Sequence, residues 1–370
     1  MSPVSGPSAA PSRRYILAAL AGLPALAQRT RTVASALFHY TDPATEFPVT
    51  RLTDPMYVSR LPAHYGRALA RRGNYMIYAS DMSGRMDAYR MDLKSGISHQ
   101  FTDVDGLDPE SLTFTADERE VCCLAGGRLL AVNAGNSRMR EVYRAPDGYA
   151  MGTGMSISED GLYATLVEKQ GTDRWRLRLV RAANGMATTL AEANEEMRDP
   201  IPRPRRASVL YRRGTGLWLA NYDGQKNYRL RLADGEIGPF TWSPDGRSIL
   251  YLNYPADSHH LHNIREFTPD LNQDAAVADT TQFAAFERNA DASVFVGASG
   301  GKATPYVLLL IRAVKRELTL CEHRASDPAM VSPIFSPNSQ RIFFTSDREG
   351  KPAIYSMQVE KLVEETDSGQ

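Results

Sequence analysis

The 370-residue chain has no surplus of charge: 43 basic residues balance 43 acidic ones, so no general field draws it to nucleic acid or to an anionic membrane surface. It is also poor in cysteine, with three in all. Cys122 and Cys123 are adjacent, so on a strand they point to opposite faces, and at most one could meet Cys321. A disulfide framework and a cysteine metal cage are therefore excluded; an exported chain could form one bridge, and buried free thiols are the other reading. No apolar run approaches the roughly 20 residues of a membrane-spanning helix. Beyond the first residues helical periodicity is almost absent as well, which excludes alternating strands and helices around a parallel sheet.

The leader reads as an export signal. Ser12-Arg13-Arg14 precedes an uncharged run from Tyr15 to Leu26, and Ala25-Leu26-Ala27 forms a small-x-small cleavage site. Residues 1–27 are thus expected to be a signal peptide, of Sec or twin-arginine type, and the mature protein to be periplasmic or extracellular. Residues 28–41 read as a linker, 42–360 as one folded unit and 361–370 as a flexible tail.

That folded unit is repetitive. An apolar strand, a turn of the Ser-Pro-Asp-Gly kind and a second apolar strand recur, most clearly from Phe240 through Ser243-Pro244-Asp245-Gly246 to Leu252. Related copies begin at Phe114, Ile157, Glu287 and Phe335, and eroded ones lie at Tyr65–Tyr78 and Pro200–Tyr211. The spacing fits a period of about 40 to 45 residues, that of a propeller blade. The fold class expected is all-β: a single closed β-propeller of about seven four-stranded blades. Val49 to Thr53 should supply the strand missing from the last blade, near Ile354 to Val359, so that no open edge remains.

Two segments carry a resemblance: Asp42-Pro43-Ala44-Thr45 with Val49-Thr50-Arg51-Leu52-Thr53, and Phe344 through Asp347-Arg348-Glu349-Gly350 to Tyr355. In these, and in the order and length of the blades between them, the chain resembles bacterial oligogalacturonate lyases. The turns alone fit any TolB-like or WD40-like propeller. The resemblance implies β-elimination on short pectin fragments, in which a base takes the proton beside the uronate carboxylate and a cation neutralises that carboxylate. In the family the cation is a divalent metal, usually manganese, on His and Gln side chains with help from an Arg, and a His is the base.

Carried over residue by residue, the resemblance keeps one position and loses the others. Pro200-Ile201-Pro202-Arg203-Pro204 retains the family's blade-opening pattern, so Arg203 is expected to hold a uronate carboxylate at the central mouth; a solvated arginine beside Arg205 and Arg206 is the alternative. Pro239 stands at the position of the family's base. Ala285, Asp327, Met330 and Ser332 stand at the metal-ligand positions, and these side chains do not rebuild a manganese cage. No cofactor is expected unless other histidines supply a site. His259, His260 and His262 offer a ligand-like spacing, with His323, Asp327 or His64 as neighbours; an exposed polar hairpin is the alternative. Gly297-Ala298-Ser299-Gly300-Gly301 matches a nucleophile-elbow pattern, but the sequence around it reads as a hairpin without acid or histidine partners.

Two functions follow. One is a lyase-like propeller that acts on or binds uronate-containing pectin oligosaccharides through Arg203 and the mouth. The other is a non-catalytic TolB-like propeller that binds a protein, peptide or glycan partner at the mouth. Neither requires nucleic acid or a membrane span.

Overall fold

The computed structural model describes residues 31–257, 259–301, 303–359 and 362, so the expected signal peptide and all of the expected tail but Leu362 lie outside the described residues. Seven antiparallel sheets form the blades, as expected. Blade 1 runs from Ser59–Arg60 to Ser98–Gln100, blade 2 from Thr113–Phe114 to Met139–Arg144, blade 3 from Ala150–Ile157 to Ala187–Ala193 and blade 4 from Met197–Pro202 to Asn227–Arg229. Blade 5 follows from Glu236–Trp242 to Gln273–Asp279 and blade 6 from Phe283–Arg288 to Arg316–Glu322. Blade 7 takes Ile334–Phe335, Arg341–Ser346 and Ala353–Gln358 from the end of the chain and its fourth strand, Pro48–Arg51, from the beginning.

That last pairing is the expected closure. Thr50 stands opposite Ser356 and Arg51 opposite Tyr355, and Leu52 N donates to Ile354 O at 2.7 Å. Residues 28–41, by contrast, are not simply a linker. Thr32–Val33 extends blade 1 and Phe38–Thr41 extends blade 7, each as an outermost fifth strand. Their side chains are mostly exposed, so they lack the apolar pattern that marks a strand from sequence.

Seven clusters of buried side chains fill the seven blade-to-blade interfaces, so each sheet is apolar on both faces. Cys122 faces blade 3 and Cys123 faces blade 1, as strand alternation requires. Both thiols and that of Cys321 are free and buried.

The recurring turn ties one end of each inner strand to the next strand. Ser243 Oγ donates to Asp245 Oδ1 at 2.7 Å, that oxygen accepts from Arg247 N at 3.0 Å, and Ser243 N donates to Ser248 O at 2.8 Å. Gly246 has φ 68°, and a Cβ there would lie 2.4 Å from Pro204 O, so this turn has no room for a side chain. Ser158 with Asp160 and Ser336 with Asn338 repeat the hydroxyl-to-Asx contact. All these turns lie at one end of the central channel; the opposite end is the mouth. Among the described residues no helix is long and apolar enough to cross a membrane.

Candidate functional site

The inner strands of blades 3 to 6 each carry a bulge at the mouth: between Met151 and Met155, Arg198 and Ile201, Ile237 and Phe240, and Phe283 and Ala285. A bulge inserts unpaired residues and re-aims side chains. Here it aims Asp199, Gly238-Pro239 and Ala284 into a cavity of about 490 Å³ at the channel entrance. Asp199 does so with φ 53°, a left-handed backbone that aspartate tolerates better than most residues.

The segment from Leu61 to Arg67 leaves the first strand of blade 1 and crosses the channel. Ala63 N donates to Glu110 O at 3.2 Å beside blade 2, and Arg67 Nη2 donates to Ser158 O at 3.3 Å in blade 3. Tyr65 Oη donates to Asp199 Oδ1 in blade 4 at 3.2 Å, and His64 Nε2 lies 3.0 Å from Phe240 O in blade 5. One segment thereby floors the cavity and touches four blades. Gly154, with φ 75°, makes room for it, since a Cβ there would lie 2.4 Å from Tyr65 Oη.

Charge around the mouth is mixed. Arg60 and Arg198 are exposed on its rim, together with Glu110 and Glu236. Arg212 is buried beneath, where Nη1 and Nη2 donate to Ile237 O and Gly238 O at 2.8 and 2.6 Å, and Nε lies 3.9 Å from Asp199 Oδ2. Burial, with Asp199, Glu110 and Asp108 nearby, holds the Tyr65 hydroxyl well above the usual phenol range, so it keeps its proton. Burial also pushes Tyr254 up to about 12. Deeper in the channel, Glu287 Oε1 accepts from Arg288 N, while Oε2 is buried without a partner among the described residues. Burial raises that carboxyl, and His64 and Arg288 pull it partly back.

Similarity to known proteins bears on this geometry. An oligogalacturonide lyase from Pectobacterium atrosepticum and an oligogalacturonate lyase from Dickeya dadantii are each 23% identical over 374 residues, covering 87% of this chain and 96% of theirs. A solved oligogalacturonate lyase in complex with manganese superposes with a TM-score of 0.84 at 22% identity over 89% of this chain and 97% of that one. Another, from Vibrio parahaemolyticus, gives 0.83 at 21% identity over 89% and 98%. No protein-family model matches. Over nearly its whole length the chain is thus similar in sequence to oligogalacturonate lyases, and it shares their propeller fold.

In this propeller the residues singled out from sequence are only partly gathered. Pro239, Asp327, Met330 and Ser332 line the cavity. Of the last three, Met330 lies in a short 3-10 helix, Pro328–Val331, and Asp327 and Ser332 flank it as its N- and C-caps, Asp327 accepting from Ala329 N at 2.9 Å. Ala285 does not reach the mouth. The bulge shifts the register, so Ala284 faces the cavity and Ala285 packs in the core against blade 7.

Arg203 is a larger correction, since it is buried at the turn end of the channel. Its backbone N donates to Ser208 O at 2.8 Å, as Ser243 N does to Ser248 O, so Arg203 fills the first position of blade 4's turn. Its side chain is committed there: Nε donates to Gly246 O at 2.6 Å, and Nη1 and Nη2 donate to Asp270 at 3.2 and 3.0 Å.

The histidines do not converge either. His259 and His260 are exposed, His262 Nδ1 lies 3.0 Å from Phe283 O, and His323 is buried against Ser299 O. Ser299 ends a strand, Val294–Ser299, and its hydroxyl accepts from Gly301 N, so the nucleophile-like motif is a hairpin.

Manganese, bound by a solved relative, suits imidazole, carboxylate and carbonyl donors. The corresponding residues here offer one carboxylate, already capping a helix, with a thioether, a hydroxyl, a proline and an alanine. Among the described residues no group of three His, Cys, Asp or Glu could hold a metal. The donor set does not fit the ion.

The mouth residues that sequence reasoning missed are Arg60, Tyr65, Glu110, Arg198, Asp199 and Arg212. The signal was positional: Asp199-Pro200 precedes Ile201 in the same register in which Gly238-Pro239 precedes Phe240.

Proposed function

We propose that this propeller recognises uronate-containing pectin oligosaccharides at the mouth, with Arg60 and Arg198 in the role first expected of Arg203. The observation that carries the reading is the pairing of exposed guanidiniums with carboxylates around one cavity of oligosaccharide dimensions. A uronate sugar presents both kinds of group. Its carboxylate accepts two parallel hydrogen bonds from an arginine, and its hydroxyls donate to carboxylates such as Glu110 and Asp199. A neutral glycan would leave the arginines unmatched. The names of the relatives, with nearly full coverage, point to the same substrate class.

Isothermal titration of the purified protein with trigalacturonate tests this. A charge-assisted contact contributes roughly 1.5 to 3 kcal/mol, so Arg198→Ala and Arg60→Ala should each weaken binding about 10- to 150-fold. Full affinity in both variants, or binding of a peptide or neutral glycan in place of trigalacturonate, would refute the assignment. The leader over residues 1–27 supports export to where such fragments are met. The mature protein should then begin at Gln28, which N-terminal sequencing checks.

A further inference from the structure

Each blade ends outward in an edge strand, whose outer N–H and C=O groups are able to pair with another chain unless charged residues guard them. Blades 2 to 6 are guarded. Their outermost strands, Met139–Arg144, Ala187–Ala193, Asn227–Arg229, Gln273–Asp279 and Arg316–Glu322, each carry at least one Asp, Glu, Lys or Arg. Among the described residues the exceptions are Thr32–Val33, which is only two residues long, and Phe38–Thr41 on blade 7. Phe38 is 52% exposed there, and its ring lies beside that of Tyr40 at 6.3 Å between centroids.

Backbone alternation decides what this edge offers. Asp42 N donates to Phe47 O and Asp42 O accepts from Glu46 N, both at 2.9 Å, so the backbone groups of Asp42 turn inward. Those of Tyr40, two residues earlier, turn inward to Val49, which leaves those of His39 and Thr41 facing outward. Pro48, with no N–H to give, stands opposite Thr41, as this assignment requires. The outward groups are therefore symmetric about Tyr40.

We propose that Phe38–Thr41 is a self-association edge, to which a second copy of this chain adds the same strand, antiparallel, about a two-fold axis at Tyr40. His39 of one copy exchanges both backbone hydrogen bonds with Thr41 of the other, and the axis repeats the exchange. The two blade 7 sheets become one continuous sheet, in which Phe38 lies diagonal to Tyr40 of the second copy and within reach of its ring. A second copy fits better than a charged peptide. The edge has no Asp, Glu, Lys or Arg to select such a peptide, and the formal net charge of zero leaves two copies without long-range repulsion. Four residues a side bury too little surface for a permanent dimer, so the association is weak and concentration-dependent.

Sedimentation equilibrium of the purified full chain from roughly 1 to 300 μM tests this, and the average mass should rise from 40.9 kDa toward twice that value. His39 and Thr41 are both exposed, so substitutions there leave the core untouched. His39→Glu with Thr41→Glu sets carboxylate against carboxylate across the axis and should raise the dimer dissociation constant at least about 10-fold. His39→Lys with Thr41→Glu sets ammonium against carboxylate and should keep or tighten the dimer, with both double variants melting as the wild type does. Amide exchange at His39 and Thr41 of the wild-type protein needs no variant and should slow as concentration rises. A wild-type mass that stays at the monomer value throughout would overturn the proposal, as would exchange at these two amides that ignores concentration. A dimer indifferent to His39→Glu with Thr41→Glu would place the contact elsewhere and overturn it equally.

Discussion

Val49→Asp should prevent the ring from closing. Val49 is 1% exposed and packs with Val294, Phe344 and Tyr355 between blades 6 and 7. Its strand is the outer neighbour of Ala353–Gln358, and the segment before it is fastened to blade 6. Thr45 Oγ1 donates to Leu320 O at 2.7 Å, and the buried Asp42 accepts from Glu322 N at 3.1 Å. Loss of the valine costs about 2 kcal/mol of burial. An unpaired carboxylate there costs several more. Displacement of the strand would then bare the edge of Ala353–Gln358 to other chains. Calorimetry should show a melting temperature lowered by at least about 8 °C, or no cooperative transition, and gel filtration should show association. Thr50→Asp is the control, because Thr50 is only half-buried and its hydroxyl contacts His39. If Val49→Asp melts like the wild-type protein, the closure does not hold the propeller together.

The repeat, the turns and this closure were legible because each is written in local chemistry. Ser243 and Asp245 form their turn from atoms within six residues of one another, and a two-sided apolar strand such as Ile249–Tyr254 announces its burial. The mouth was less legible because it is built by register and by a crossing. Whether Ala284 or Ala285 faces the channel depends on one bulged residue, which leaves no trace in an alternating pattern. Nothing near His64 in sequence shows that it will rest on Phe240, 176 residues away. Thr32–Val33 and Phe38–Thr41 were missed for a third reason. They add backbone pairing at the rim without burying a face, so composition does not mark them. Arg203 was misplaced because a motif fixes a residue's position along its strand, and only the fold says which end of the strand meets the ligand.

Arg203→Ala should therefore lower stability and leave ligand affinity unchanged, the reverse of the outcome for Arg198→Ala. The Arg203 side chain is 4% exposed and lies over the Trp242 ring at 5.0 Å. Its removal leaves Gly246 O without the guanidinium, bares the indole face and opens a void between blades 4 and 5. Together these should cost about 2 to 4 kcal/mol, a fall in melting temperature on the order of 5 to 10 °C. Asp270 contributes less, because it is exposed and keeps Arg206 at 3.1 Å. Its carboxyl is nevertheless held below the usual range, by the hydrogen bonds from Arg203 first and then by the nearby positive charges. A depressed carboxylate stabilises the fold above its ordinary pKa, and that stabilisation is lost as pH falls through the depressed value. The gap between wild type and Arg203→Ala should accordingly narrow below about pH 4, once the aspartate is protonated in both. Thermal melts at pH 3 and pH 7, with trigalacturonate titrations at pH 7, separate the two arginines. If Arg203→Ala weakens binding while melting normally, the ligand enters from the turn end and the mouth described here is not the site.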